Sequence, residues 1–92
     1  MVLKIEWKQS AKKDFIAIVE YISQENLLAA EAFIEIIEDS VELLKAHPKA
    51  GKIGRVKETL EFVVSSNYII VYQLSADKLI ILALLHAKRQ WP

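Results

Sequence analysis

The chain has no cysteine. That excludes a disulfide scaffold, a thiolate zinc site and a cysteine nucleophile, and it points to a reducing cytoplasm as the natural compartment. It has only two glycines and two prolines. The pair Gly51-Lys52 is not a phosphate loop, because the upstream glycine and the downstream Ser or Thr that such a loop needs are both missing. There is no excess of either charge: 12 Lys and Arg face 12 Asp and Glu. Strong non-specific nucleic-acid binding needs a counterion-releasing basic surface, so neutrality speaks against it. Long apolar runs are also missing. The longest without a charge, Leu79 to Leu85, falls far short of the ~20 residues of a spanning helix. The first residues, with Lys4 and Glu6, are too short and too charged for a signal peptide. A soluble, cytoplasmic protein without membrane contact is expected.

What is present is a compact apolar budget. Hydrophobic residues make up 53% of 92 residues, too many for a disordered chain and enough for one domain over residues 1–92. Leu3, Ile5 and Trp7 alternate with Lys4 and Glu6, the period of a half-buried strand. Ser10 offers an N-cap to a helix running to about Gln24, with Ala11, Phe15, Ile18, Val19 and Ile22 along its apolar stripe. Asn26 offers a second N-cap. After it, Ala29, Ala32, Phe33, Ile36, Ile37, Ser40, Leu43 and Leu44 recur at helical spacing, and Ala30, Ile34 and Val41 widen the arc. Pro48 ends this helix, and His47 stands there as a partner for its negative end.

The period then changes to that of strands. Ile53 to Lys57, Leu60 to Val64, Tyr68 to Leu74 and Leu79 to His86 are separated by short polar turns, which force antiparallel pairing. Tyr68 and Tyr72 share a strand face as packing residues with polar tips. The last strand is apolar on both parities and is expected to be central. The expected fold is α+β in two layers: an N-terminal strand and a helical hairpin packed on a mainly antiparallel sheet.

The zero net charge hides a division at Pro48. Residues 1–48 carry 5 basic and 9 acidic groups, or −4; residues 49–92 carry 7 and 3, or +4. An anionic partner should meet the sheet half and the tail. The residues that could carry chemistry lie there: Arg55, His86, Lys88, Arg89 and Trp91. His86 shares its parity with Ile80, Leu82 and Leu84, at the end of a buried strand. An imidazole can act as acid or base near neutral pH, and a guanidinium can hold a phosphate bidentately. His86 with Arg55 and Arg89 would suit phosphodiester cleavage through a 2′-hydroxyl. A structural hydrogen-bonding His86 and a Trp91 that plugs a groove are the competing roles. Ile34 and Val41 are candidates for a groove that takes a partner helix or strand, or they complete the helical hairpin. Nothing points to a metal or other cofactor.

Several segments resemble the RelE/ParE superfamily, the toxins of bacterial type II toxin–antitoxin modules. They are Ile5-Glu6-Trp7, Ala11 with Asp14-Phe15, Tyr21-Ile22, Asn26, Ala29-Ala30 and Phe33 in the first half. Pro48, Gly51, Gly54-Arg55, Glu61, Tyr68 to Tyr72 and the ending Leu85 to Pro92 continue the match. The resemblance covers essentially the whole chain, and the ending is its most specific part. It implies the same two-layer fold, a cognate antitoxin as partner and oligomers formed through that antitoxin. It implies one of two targets: DNA gyrase, poisoned by a ParE-like toxin without catalysis, or mRNA on the ribosome, cut by a RelE-like endoribonuclease. A non-toxic antitoxin-binding module is the third alternative. Arg55, His86 and Arg89 match positions the superfamily uses or shares, as catalytic groups if the chain is a ribonuclease. Lys88, Arg89 and Trp91 are the expected target contacts, and Ile34 and Val41 the expected antitoxin contacts. Leu60 stands where many relatives have Arg, and no tyrosine lies near the C-terminus. With the neutral charge, this favours the ParE-like branch.

Overall fold

The computed structural model describes residues 3–65, 67–88 and 91. These form β1 (Lys4–Trp7), α1 (Gln9–Glu25), α2 (Leu27–Ala46), β2 (Lys52–Ile53), β3 (Leu60–Val63), β4 (Tyr68–Ser75) and β5 (Lys78–His86). The strands make one sheet in the order β1-β5-β4-β3-β2. β1 runs parallel to β5, and every other pairing is antiparallel. Both helices lie on one face of this sheet. The fold is therefore the two-layer α+β arrangement expected from the sequence, with β5 inside the sheet. Among the described residues, no helix is long and apolar enough to cross a membrane.

The main core lies between helices and sheet. Ala11, Phe33, Ile37 and Leu44 from the helices meet Ile70, Tyr72, Leu79, Ile81 and Leu84 from the strands. Each fully buried Ile or Leu here is worth about 1.5–3 kcal/mol. A row of rings crosses this layer. Trp7 stacks on Phe15 (5.5 Å), Phe15 meets Phe33 (6.1 Å), Phe33 meets Tyr68 edge-on (4.9 Å), and Tyr68 meets His86 (5.4 Å). A second cluster, Ile69, Val71, Ala83 and Leu85, lies on the opposite face of the sheet and is covered in part by Leu82 and Trp91.

Four local expectations change. Ser10 does not cap α1. The helix starts at Gln9, and Lys8 at the cap position makes no side-chain cap. The reason is that β1 runs directly into the helix: the Lys8 N–H donates to the Ile81 carbonyl (3.0 Å), continuing the β1–β5 ladder. The Ser10 hydroxyl instead donates to the Leu82 carbonyl (3.0 Å), and Asp14 Oδ2 accepts the Leu84 N–H (3.1 Å). Beyond the end of β1, side chains of α1 thus satisfy the edge of β5, which would otherwise carry unpaired polar groups.

The parity of β5 also changes. Tyr72 pairs with Ile81 but Val71 pairs with Ala83, so Leu82 is an extra residue, a β-bulge. Leu79, Ile81 and Leu84 face the helices, while Leu82 joins the opposite cluster. His86 keeps the parity of Leu84 but not that of Leu82 or Ile80, because the bulge breaks the alternation between them.

In α2, Asn26 caps as expected, accepting the Ala29 N–H on Oδ1 (3.1 Å). The buried face is Ala30, Phe33, Ile37, Ser40 and Leu44. Ala29, Ala32, Ile36 and Leu43, expected inside, are exposed. Phe33 sets the rotation by inserting between Phe15 and Tyr68, and the single residue between the helices leaves little freedom to turn it back.

The strand expected at Ile53 to Lys57 shrinks to Lys52–Ile53. Residues 55–58 fold into a turn in which the Gly54 N–H donates to the Thr59 carbonyl (2.8 Å) and the Thr59 hydroxyl to the Val56 carbonyl (2.6 Å). Glu58 takes a positive φ of 67° to close it. A Cβ on Gly54 would collide with the Thr59 hydroxyl, so only glycine fits there. Tyr72, fully buried as a packing residue, anchors the segment before β2. Its hydroxyl donates to the Pro48 carbonyl (2.7 Å) and accepts the Gly51 N–H (3.0 Å). Burial raises its phenol pKa, and the Gly51 N–H partly offsets this.

Candidate functional site

Arg55 sits in the turn between β2 and β3, and its side chain points to Glu61. Nε donates to Glu61 Oε2 and Nη2 to Oε1, both at 3.0 Å, and the Arg55 backbone N–H adds a third bond to Oε2 (2.9 Å). This fork-to-fork geometry is the one a guanidinium would use on a phosphate, here directed at an internal carboxylate. The Arg55 hydrogen bonds hold the Glu61 carboxyl below its ordinary range, against the opposing effect of partial burial. Glu61 in turn raises the Arg55 pKa, chiefly through the side-chain hydrogen bond. Leu60 and Phe62 pack beneath the helices, so strand alternation turns Glu61 to the opposite face of the sheet.

His86 ends β5 on the helix side, directly across from Tyr68, with its ring exposed. Its Nδ1 accepts the Lys88 N–H (3.2 Å), which leaves Nε2 to carry the proton in the neutral ring. His86 and Arg55 are not brought together. Glu61 pairs with Val71, and Val71 lies three positions along β4 from Tyr68, the partner of His86. That is about 10 Å along the strand and two strand spacings of about 4.8 Å across it. The two groups also belong to opposite faces. Arg89, the third member of the expected trio, lies outside the described residues.

Of the expected target contacts, Lys88 is exposed just after β5. The preceding residue is tied down by the Ala87 N–H to the Asn67 carbonyl (2.6 Å). Trp91 is half-buried and packs over the cluster of Ile69, Val71, Ala83 and Leu85. Its indole therefore covers apolar sheet that the helices leave open.

Ile34 and Val41 are half-buried on the edge of α2 that faces α1. Val41 lines a cleft of about 550 Å³ with Trp7, Phe15, Ile16 and Ile37, rimmed by Lys12, Glu38 and Glu42. Ile34 lines an adjoining, smaller cleft with Phe15, Ile16 and Val19. Ile16, which belongs to both, was not singled out from the sequence and is 59% exposed. Its signal was present: it is a β-branched apolar residue outside the stripe of Ala11, Phe15, Ile18 and Ile22. Trp7 and Phe15 follow a core pattern in the sequence, and periodicity distinguishes a buried side from an exposed one but not a floor from a filling.

Comparison with known proteins agrees with this fold. The profile of the ParE toxin of the type II toxin–antitoxin system parDE matches residues 5–91. A Sinorhizobium fredii protein named "Putative toxin Y4kP" is 36% identical over 90 residues, covering 97% of this chain and 93% of that protein. Among solved structures, the fold is similar to the chromosomal ParDE toxin–antitoxin system of Pseudomonas aeruginosa, with a TM-score of 0.81 and 18% identity. That match covers 95% of this chain and 98% of the other. The fold is also similar to a chain of the RelBE2 toxin–antitoxin complex of Mycobacterium tuberculosis, with a TM-score of 0.62, 16% identity, and 94% and 99% of the two chains covered. The chain belongs to the ParE toxin family of type II toxin–antitoxin systems, within the RelE/ParE superfamily.

Proposed function

We propose that this toxin arrests growth by a ParE-like contact with DNA gyrase, without catalysis of its own, and that a cognate antitoxin neutralises it. The observation that carries the gyrase reading is the engagement of Arg55. Its guanidinium forks onto the Glu61 carboxylate, with its backbone N–H donating to the same group, on one face of the sheet, while His86 stands on the other. A nuclease needs its acid–base group and its phosphate-holding cations around one scissile bond. The neutral net charge adds support, because a toxin seated against ribosomal RNA gains from a basic body. Lys88 and Arg89, with the outer surface of Trp91, are the contacts we assign to the target. The cleft above Trp7, Phe15 and Ile16, with Ile34 and Val41 on its α2 side, is the surface we assign to an amphipathic segment of the antitoxin that folds on binding.

The decisive experiment labels DNA and protein synthesis separately after induction, and then incubates purified toxin with gyrase and supercoiled DNA. DNA synthesis should fall first, and cleaved DNA should accumulate on gyrase. Translation falling first, with supercoiling and cleavage complexes unaffected, would replace this reading with the ribosome-dependent nuclease. In that case His86→Ala, still folded, should no longer cut message.

A further inference from the structure

We propose that the recess between α1 and the end of β5 is a binding site for an arginine side chain of a partner polypeptide. The site is separate from the Arg55–Glu61 pair and from the cleft above Ile16, and it stands whichever target the toxin acts on. Asp14, Ala17, Ile18 and Tyr21 enter it from successive turns of α1, and Tyr68 and His86 from the strand ends; its volume is about 320 Å³.

Three features define its ligand. The first is Asp14. Its Oδ2 is held by the Leu84 N–H (3.1 Å), which fixes the carboxylate plane, and Oδ1 has no partner among the described residues. Holding a backbone N–H requires only a neutral acceptor, so the negative charge is surplus to the structural role. A half-buried carboxylate with one open oxygen is a receptor for a cationic donor. The second feature is the aromatic lining. Tyr68 is half-buried, while Tyr21 is 65% exposed and lies outside the core. Tyrosine faces attract guanidinium groups, and the stacked planar fork suits arginine better than lysine. The third is the field. Among the described residues no Lys or Arg lines the recess and Asp14 is its carboxylate, on a helix from the half of the chain that carries a net −4. Phosphates are therefore repelled and cations drawn in. A shallow groove continues from Ala17 and Tyr21 along α1 past Lys13, Ile16 and Glu20, where the backbone bearing the arginine can lie.

The test titrates the full chain with N-acetyl-arginine amide and follows backbone amides by NMR. Saturable shifts confined to Asp14, Ala17, Tyr21, Leu84 and His86 are expected. The neutral isostere N-acetyl-citrulline amide should bind about tenfold more weakly, as should arginine amide to Asp14→Asn, which keeps an acceptor for Leu84. Tyr21→Ala removes an exposed ring and should weaken binding by a few-fold, with the rest of the spectrum unmoved. Equal binding of citrulline amide, undiminished binding by Asp14→Asn, no saturable shift, or inorganic phosphate moving the same amides would each overturn the proposal. Should Asp14→Asn not fold, the citrulline and Tyr21→Ala arms decide it.

Discussion

Replacing Tyr72 by phenylalanine removes a single oxygen and tests how the sheet half is tied to the helices. That hydroxyl donates to the Pro48 carbonyl at 2.7 Å and accepts the Gly51 N–H at 3.0 Å, and Tyr72 itself is fully buried. Each bond contributes about 0.5–1.5 kcal/mol net, so the pair amounts to about 1–3 kcal/mol. Pro48 and Gly51 are only half-buried, so water can reach them and the upper bound is not expected. A loss near 2 kcal/mol would still be a large part of the total stability of about 5–14 kcal/mol for a chain this size. It should lower the melting temperature by about 8–16 °C. Urea unfolding followed by circular dichroism reads the change as a lower midpoint at constant slope, and hydrogen exchange at Gly51 should quicken. A companion variant sharpens the test. A Cβ at Gly51 would lie 2.7 Å from the Tyr72 hydroxyl oxygen and 2.9 Å from Cε1, so Gly51→Ala should be destabilising alone. With the oxygen removed, part of the clash goes, and the two substitutions should be less than additive. A Tyr72→Phe midpoint shift worth less than about 0.5 kcal/mol, below the range for even one net hydrogen bond, would refute the clamp.

Two further outcomes follow from the same bonds. Asp14→Ala strands the Leu84 N–H and should destabilise by about 1–3 kcal/mol, more than Ser10→Ala, at about 0.5–1.5 kcal/mol, which frees only the Leu82 carbonyl. Negligible effects of both substitutions in urea would show that α1 does not complete the edge of β5. The Glu61 carboxyl is held down in the folded state by Arg55, so its contribution is full above the unfolded value of about 4.5 and is lost as pH falls through the folded value. Wild type should therefore exceed Glu61→Gln in urea midpoint at pH 7, with the gap closing toward pH 3; a gap independent of pH would remove the ion pair from the stability of this turn.

Much of the architecture was legible because it rests on local rules. The Asn26 cap, the stop at Pro48, the hairpin turns and the placement of β5 inside the sheet, beside the central β4, each depend on a few neighbouring residues. The errors arose where a distant contact overrode a local preference. Ser10 is a good N-cap residue, yet the open edge of β5, 72 positions away, takes its hydroxyl. Ile36 and Leu43 fit the helical stripe, yet Phe33 turns them outward to seat itself between two rings. Residues 55–57 carry strand-like residues, yet the bonds of Gly54 and Thr59 close them into a turn.

The candidate site divides in the same way. By itself the sequence determined the family, the two layers and the separation of an acidic half from a basic one, because composition, period and residue type are written locally. It also singled out His86, Arg55 and Trp91. Only the tertiary structure decided what these can do. Strand alternation and the Leu82 bulge set the face of each side chain, and cross-strand register sets which of them meet. Arg55 therefore belongs to Glu61 and not to His86, Trp91 covers the second apolar cluster, and His86 opens instead onto a recess with Asp14.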